Sequence, residues 1–213
     1  MSVQPAIARR RPPVRARRTQ AERSAGTRAL LLDATIESLA TNGYANTTTT
    51  EVCRRAGVSQ GALFKHFATK ADLLCRAAEE LFAQLRANYR AGFVAAAAEG
   101  DPVAAATRLL ETTFREPRLQ AAFELYQAPR TDGELAASLR PVAVRHAEHL
   151  REQARELFPD AAARSADFEA TVDLAVYALQ GAAMGGDVLR DGARDARLLE
   201  LLTRLARAAF AAR

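Results

Sequence analysis

One stretch of the chain combines two short helices with a tight turn, and it limits the possible folds more than any other feature. Thr48-x-x-Glu51 has the form of a capping box, which predicts a helix over residues 49–56. Gly57 can adopt the positive φ that ends such a helix, and Ser59 is a good N-cap for a second one. Two short helices joined by a turn of about three or four residues that contains glycine form a helix-turn-helix.

Two longer helices are predicted on either side of this motif. A capping box begins at Thr19, and apolar residues then recur at helical spacing as far as Gly43, which predicts a helix over residues 20–42. Thr69 starts a further helix after the second short one, which covers residues 59–66. The side chains expected to pack the short pair together and against the first helix are Val52, Cys53, Ala56, Val58 and Leu63.

The composition favours a helical protein. Apolar residues make up 49% of the 213-residue chain and aromatic residues only 6%, while alanine is abundant and β-branched residues are sparse. No long stretch alternates apolar and polar residues as a half-buried strand would. No run of about 18 apolar residues is present, so no membrane-spanning helix is expected. The expected fold class is all-α, with an N-terminal three-helix helix-turn-helix domain followed by a helical bundle.

The positive charge is concentrated at one end of the chain. Residues 1–72 carry twelve Lys/Arg and five Asp/Glu, a net charge of +7, whereas residues 73–213 carry eighteen and twenty, a net charge of −2. Residues 1–18 are rich in arginine and contain no acidic residue, so we expect a disordered arm that adds affinity for phosphate. This distribution is typical of a polyanion-binding domain, and charge alone leaves nucleic acid and an anionic membrane surface both open.

The order of residues around the helix-turn-helix resembles the tetracycline-repressor (TetR/AcrR) family of bacterial regulators. The resemblance covers residues 28–81. Its densest part comprises Thr48-Thr49, Ala56-Gly57-Val58-Ser59, Gly61, Leu63-Phe64, His66-Phe67 and Lys70. In that family the second helix of the motif enters the major groove of DNA. The resemblance therefore implies a DNA-binding regulator.

The matching positions have chemical reasons to contact DNA. Thr48 and Thr49 place hydroxyls and free backbone N–H groups at a helix N-terminus, where a phosphate oxygen binds favourably. Gln60 offers a bidentate amide suited to adenine, Gly61 permits close approach of the backbone, and Ala62 can touch a thymine methyl. The predicted interface also includes Ser59, Phe64, Lys65 as a guanine or phosphate contact, and His66, Thr69 and Lys70 as phosphate contacts.

Position 64 departs from the family pattern. Family members usually carry a tyrosine there, and its hydroxyl reaches a phosphate, whereas this chain carries Phe64. The ring can still contact a sugar or a thymine methyl, but one hydrogen bond is lost.

The remainder of the chain is predicted to form a helical bundle. Breaks rich in glycine and proline predict helices near 72–98, 102–115, 118–128, 132–157, 164–188 and 195–211. Pro141 is expected to kink the fourth of these. The predicted organisation is a basic arm over residues 1–18, a DNA-binding domain over 19–71, and an effector-binding and dimerisation domain over 72–213.

By the same resemblance, the C-terminal part binds a small effector and forms a homodimer. The helices near 164–188 and 195–211 carry apolar faces that would pair across a two-fold axis; the alternative is that these faces only fill the core of one chain. The expected effector is mostly apolar or aromatic. The candidate lining residues are Phe82, Tyr89, Phe93, Phe114, Phe123, Tyr126, Gln180 and Met184.

These features lead to one principal hypothesis and one alternative. The principal hypothesis is a homodimeric repressor that binds a pseudo-palindromic double-stranded DNA operator and is released by a small molecule. The alternative is a sequence-independent DNA-organising protein that uses the basic arm. No nucleophile elbow, phosphate loop or nucleotide fingerprint is present, so we expect neither an enzyme nor a cofactor. The expected location is the bacterial cytoplasm, on the nucleoid.

Metal binding is not expected. Cys53 and Cys75 lack the spacing of zinc ligands. His146 and His149, with Glu152 nearby on the same predicted helix, have a spacing that permits a metal site, but the chain has only three histidines and no H-E-x-x-H motif.

Overall fold

The computed structural model describes residues 19–98, 100–185, 188 and 191–212, and within these ranges the chain is helical with no β-strand. The helices are α1 (Gln20–Asn46), α2 (Thr49–Ala56), α3 (Gln60–His66), α4 (Lys70–Ala97), α5 (Pro102–Phe114), α6 (Gln120–Gln127), α7 (Gly133–Leu157), α8 (Pro159–Arg164), α9 (Phe168–Met184) and α10 (Gly192–Ala211). Short 3-10 turns, Pro117–Leu119 and Ala128–Arg130, flank α6. The all-α prediction is confirmed, and the predicted basic arm over residues 1–18 lies outside the described residues. Within the described residues, no helix has the combination of length and hydropathy that a membrane-spanning segment needs.

The helix-turn-helix begins and ends at the predicted residues. The hydroxyls of Thr48 and Ser59 accept hydrogen bonds from the first turns of α2 and α3, and Gly57 ends α2 in the left-handed region, at φ +66° and ψ +32°. The predicted capping box at Thr48 is only half formed. The Glu51 carboxylate binds Arg54 and Arg55 instead of the Thr48 backbone N–H, because these cations lie one turn along the same helix.

The C-terminal half departs from the predicted boundaries mainly around α9, which ends at Met184 rather than at 188, and α10 begins at Gly192 rather than at 195. The predicted helix over residues 164–188 is preceded by a separate short helix, α8, and begins only at Phe168. Pro159 occupies the first position of α8, where its missing N–H costs no hydrogen bond, so it starts a helix rather than merely ending one. The helix α7 runs on through Pro141.

A single large hydrophobic core joins the helix-turn-helix to the rest of the chain. Buried side chains of α1 to α4 continue directly into those of α6 and α7. Val52, Cys53 and Leu63 are buried in this cluster, and Ala56 and Val58 pack against it, which confirms their predicted packing role. The helix-turn-helix therefore shares one core with α6, and α1 makes the direct contact with α6.

Polar contacts reinforce this packing around Tyr44, after the bend in α1. The backbone N–H of Tyr44 donates to Glu124 Oε2 at 2.7 Å, and its hydroxyl donates to Asp132 Oδ2 at 2.5 Å. Burial and the Asp132 carboxylate raise the pKa of Tyr44 to about 12, so the phenol keeps its proton. Lys70 Nζ lies 4.6 Å from the centre of the Tyr44 ring. These four side chains, Tyr44, Lys70, Glu124 and Asp132, are called the Tyr44 junction below.

Gly43 has a specific role beside the junction. Its φ of +74° lies in the left-handed region, and an added Cβ would meet Glu124 Oε2 at 3.1 Å. Glycine is needed there both for the backbone conformation and for the close approach of the carboxylate.

Candidate nucleic-acid interface and cavity

The exposed face of α3 carries the residues predicted to read DNA. Leu63 and Phe67 are buried, at 0% and 1% exposure, and they anchor the helix against the core. The opposite side presents Phe64, which is 50% exposed, together with an exposed Lys65. Of the other predicted contacts, Thr48, Ser59, Gln60, Gly61 and Thr69 are exposed, and Thr49, Ala62, His66 and Lys70 are partly buried.

The Gln60 side chain is already hydrogen-bonded in the free protein. Its Nε2 donates to Thr50 Oγ1 at 2.8 Å, which ties the start of α3 to the first turn of α2. Contact with adenine through both amide atoms would require Gln60 to release Thr50.

The capping hydroxyls retain a hydrogen that they can donate. Oγ1 of Thr48 accepts from Glu51 N at 3.1 Å, and Oγ1 of Thr69 accepts from Asp72 N at 3.1 Å. A threonine hydroxyl both accepts and donates, so each cap can stabilise its helix and still bind a phosphate oxygen.

Lys65, which is exposed on this face, differs from the neighbouring cations Arg54 and Arg55 in its ion pairing. Arg54 and Arg55 both donate hydrogen bonds to the Glu51 carboxylate, and these bonds lower the pKa of the Glu51 carboxyl to about 2. The carboxylate therefore stays charged and offsets part of the positive charge of the two arginines. Among the described residues, no carboxylate lies within 4.0 Å of Lys65. Its charge is therefore fully available to a phosphate or a guanine edge.

A separate cavity of about 130 Å³ lies between α4, α5, α7, α9 and α10. Of the eight residues predicted to line a pocket, Tyr89 and Phe114 line it. The other six lie elsewhere: Phe82, Phe93 and Phe123 are buried, Tyr126 stacks beside Phe82, Gln180 is partly buried, and Met184 is 42% exposed. Lining residues that the sequence argument missed include Arg86, His146, Gln153, Phe158 and Phe210.

The arginine, histidine and glutamine side chains of the cavity wall lie on α4 and α7. Arg86 Nη1 lies 3.2 Å from His146 Nδ1, and Gln153 Nε2 donates to the Arg86 carbonyl at 3.0 Å. The His146 ring stacks on Phe82, with 3.9 Å between centroids. Burial and the neighbouring Arg86 lower the pKa of His146 to about 4. The ring is therefore neutral at pH 7, and its Nδ1 accepts from Arg86.

The partly buried His146 predicts a dependence of stability on pH. Because its pKa is about 4 in the folded chain and near 6.5 when unfolded, the unfolded chain takes up the proton first as pH falls through this window. We expect this group to make the protein about 2 kcal/mol less stable at pH 5 than at pH 7. Urea unfolding at both pH values measures the free energy of unfolding, and in His146→Gln the loss of about 2 kcal/mol between pH 7 and pH 5 should be absent. His149→Gln, at an exposed position on the same helix, is the control and should keep it; an unchanged pH dependence in His146→Gln would refute the assignment.

The histidine pair does not form a metal site in the described residues. His146 is held between Phe82 and Arg86, whereas His149 and Glu152 are exposed. No group of three or more His, Cys, Asp and Glu side chains in the described part of the chain is arranged to hold a metal ion.

The last two long helices carry apolar side chains on the surface of the single chain. Leu174, Tyr177, Leu201 and Leu205 are 51%, 64%, 42% and 48% exposed. Leu202, next to Leu201 on α10, is instead buried with Ala175 and Leu179 in a small cluster. The exposed set forms a stripe along α9 and α10 that this chain alone leaves in contact with water.

Comparison with known proteins identifies the class of the molecule. Residues 31–77 match the family model described as "Bacterial regulatory proteins, tetR family". An uncharacterised HTH-type transcriptional regulator of Mycobacterium tuberculosis is 29% identical over 188 residues, which cover 88% of this chain and 96% of that protein. The HTH-type transcriptional regulator CymR of Pseudomonas putida is 39% identical over 87 residues, covering 41% of this chain and 43% of CymR.

Solved structures agree with these matches. A transcriptional regulator from Rhodococcus sp. Rha1 has a TM-score of 0.67 at 20% identity, over 87% of this chain and 99% of that one. The multidrug binding protein EbrR, complexed with ethidium, has a TM-score of 0.63 at 26% identity, over 84% and 97%. The fold and the helix-turn-helix thus define a DNA-binding transcriptional regulator. The part of the chain that carries the helix-turn-helix, residues 31–77, matches the tetR family, and the resemblance found in the sequence is confirmed.

Proposed function

We propose that the protein is a homodimeric repressor that binds a pseudo-palindromic operator in the bacterial cytoplasm and is released from it by a small molecule. Residues 19–71 would form the DNA-binding domain and residues 72–213 the effector-binding and dimerisation domain. The observation that carries the proposal is the outward face of α3, which presents an unpaired Lys65 while Leu63 and Phe67 hold the helix in place.

The proposed interface has two kinds of contact. Thr48, Thr49, Thr69 and the basic side chains of α3 and α4 would bind phosphates and set the position of the helix. Gln60, Gly61 and Ala62 would contact base edges in the major groove, with Lys65 close to both. The position of these named residues at the surface, with Thr49 and Ala62 partly buried and the others exposed, supports contact with DNA.

Dimerisation would place two copies of α3 on successive major grooves. The exposed stripe on α9 and α10 supports a four-helix interface between two copies of the chain, because its leucines otherwise remain in water. Recognition helices about 34–36 Å apart would read two half-sites related by the same two-fold axis.

The cavity is the proposed effector site. Its volume of about 130 Å³ is close to that of an engineered cavity of about 150 Å³ that holds benzene, so it suits a molecule the size of one aromatic ring. EbrR has been solved with ethidium and with imidazole, so a protein of similar fold accepts small ring compounds.

Two connections would carry the effector signal to DNA. Leu85, Arg86 and Tyr89 line the cavity on α4, and the same helix begins at Lys70 beside the predicted phosphate contacts. The Tyr44 junction joins that end of α4 to α6 and α7. A ligand that favours one arrangement of α4 would shift the equilibrium between DNA-binding and released dimers by its differential affinity for the two.

Gel-shift titration against the promoter region of the protein's own gene tests the proposal. We expect binding to this DNA at moderate salt well above binding to random DNA, and a variant lacking residues 1–18 should bind more weakly but keep the preference. Equal binding to both DNAs with a steep salt dependence would favour the sequence-independent DNA-organising alternative.

Phe64→Tyr tests the position that departs from the family pattern. Phe64 is half exposed on α3, so a hydroxyl added to its ring would reach outward toward a phosphate without disturbing the core. We expect operator binding to tighten about threefold to tenfold, the contribution of one hydrogen bond. Fluorescence anisotropy with a labelled operator measures it, and clearly weaker binding by the variant would contradict the predicted placement of the ring.

A further inference from the structure

We propose that the cavity binds a small carboxylic acid with an apolar body, and that Arg86 binds its carboxylate. This inference rests on the effector-binding part of the proposed function and names the chemical class of the effector.

The first observation is the missing partner of Arg86. Within the described ranges, Arg86 is the lining residue that carries a full charge, no Asp or Glu lines the cavity, and no carboxylate oxygen lies within 4.0 Å of its guanidinium. Its side-chain contact is with the neutral ring of His146, at 3.2 Å. A guanidinium has five N–H donors, so most of them remain available. Burial also lowers the pKa of Arg86, with no acidic neighbour opposing it.

Neighbouring arginines on the same helices are paired. Arg90, one turn along α4 from Arg86, binds Glu156. Arg145, the residue before His146, binds Glu79 at 2.6 Å, and Arg151 binds Asp173 at 2.6 Å. A partly buried cation without an acid is costly, and a bound anion would remove that cost. An arginine facing a cavity without a carboxylate therefore points to an acidic ligand.

Three hydroxyl groups of the cavity wall are already engaged in hydrogen bonds. Tyr89 donates its hydroxyl to the Ala106 carbonyl at 3.1 Å, Thr107 shares a hydrogen bond with Thr203 at 2.7 Å, and Thr113 donates to the Leu109 carbonyl at 2.9 Å. The rest of the wall is mostly aliphatic and aromatic. Among the described lining residues the site therefore offers one cationic side chain beside an apolar surface, and no carboxylate that could bind a cationic ligand.

Isothermal titration calorimetry on the full-length protein tests the inference with two matched pairs of probes, benzoate with benzamide and hexanoate with hexanamide. Each pair has nearly the same shape and differs in charge. Because a hydrogen bond to a charged group contributes more than one to a neutral group, we expect each acid to bind about 10- to 100-fold more tightly than its amide at pH 7.

Substitution of Arg86 should remove this preference. In Arg86→Met the acids should bind no more tightly than the amides, while amide binding persists and shows that the cavity is intact. Arg86→Lys should keep part of the preference, because an ammonium holds the charge without the two parallel donors. Arg90→Met, one turn along on the exposed side of α4, is the matched control and should behave as the unmodified protein.

Several results would overturn the inference: equal affinity for acid and amide, a preference that survives in Arg86→Met, or no binding of any probe. A parallel gel shift separates this failure from failure of the proposed function. Operator binding with no acid bound leaves the DNA-binding proposal standing. Acid binding that depends on Arg86 but never releases the operator upholds the site and refutes control by this ligand.

Discussion

Lys65→Glu should abolish operator binding at physiological salt, with a loss of affinity of about 100-fold or more, which corresponds to about 3 kcal/mol. Lys65 is exposed on α3 with no carboxylate beside it, so in the free protein its charge is not offset by a neighbouring acid. A carboxylate at this position would face the phosphates, and it would do so twice in a dimer. Fluorescence anisotropy with a labelled operator measures the loss, and the slope of log affinity against log salt should also become shallower.

The matched control for this change is Arg164→Glu. Arg164 is exposed on α8, so the substitution makes the same change in net charge on a helix outside the helix-turn-helix. We expect the control to keep nearly full operator affinity. If both variants lose affinity equally, binding depends on overall charge, and the assignment of α3 as the recognition helix fails.

Leu205→Asp should convert the protein to a monomer and weaken operator binding at least tenfold. Leu205 is 48% exposed in the single chain, so aspartate there leaves the folded chain intact. In a two-fold interface formed by α9 and α10, each copy would bury an unpaired carboxylate against apolar side chains, which costs several kcal/mol. Sedimentation velocity at micromolar concentration gives the assembly state, and circular dichroism gives the helical content.

Val144→Asp provides the comparison for the dimer prediction. Val144 is also about half exposed, at 50%, but it lies on α7 rather than on the apolar stripe. The control should remain dimeric with normal operator affinity. A dimeric Leu205→Asp, or a monomeric Val144→Asp, would place the interface elsewhere.

The helix-turn-helix was predictable from the sequence because its signals are local. Thr48, Gly57 and Ser59 act within one helical turn of themselves, through a capping hydroxyl or a left-handed backbone. Within this motif, the predicted second hydrogen bond of the capping box was wrong, because Arg54 and Arg55 compete for the Glu51 carboxylate. That competition is also local, but its outcome depends on the relative energies of two side-chain arrangements.

The cavity was much harder to predict. Aromatic residues at helical spacing, such as Phe82 and Phe93, indicated the inward face of α4. They did not show which residues of that face would line the cavity. One signal in the sequence was available, because Arg86 interrupts that aromatic stripe with a charge. The interruption identifies an unusual position, and the identity of its neighbour, His146, depends on packing across 60 residues of chain.

The sequence by itself determined the class of the protein, its helical composition and the outward residues of α3. Each of these depends on capping, turn and periodicity preferences that act over a few residues. Only the tertiary structure decided where the cavity lies, which charge within it lacks a partner, and how the Tyr44 junction links α1 to α6 and α7. These features arise where helices distant in sequence pack together, and the shape of the space they leave depends on all of them at once.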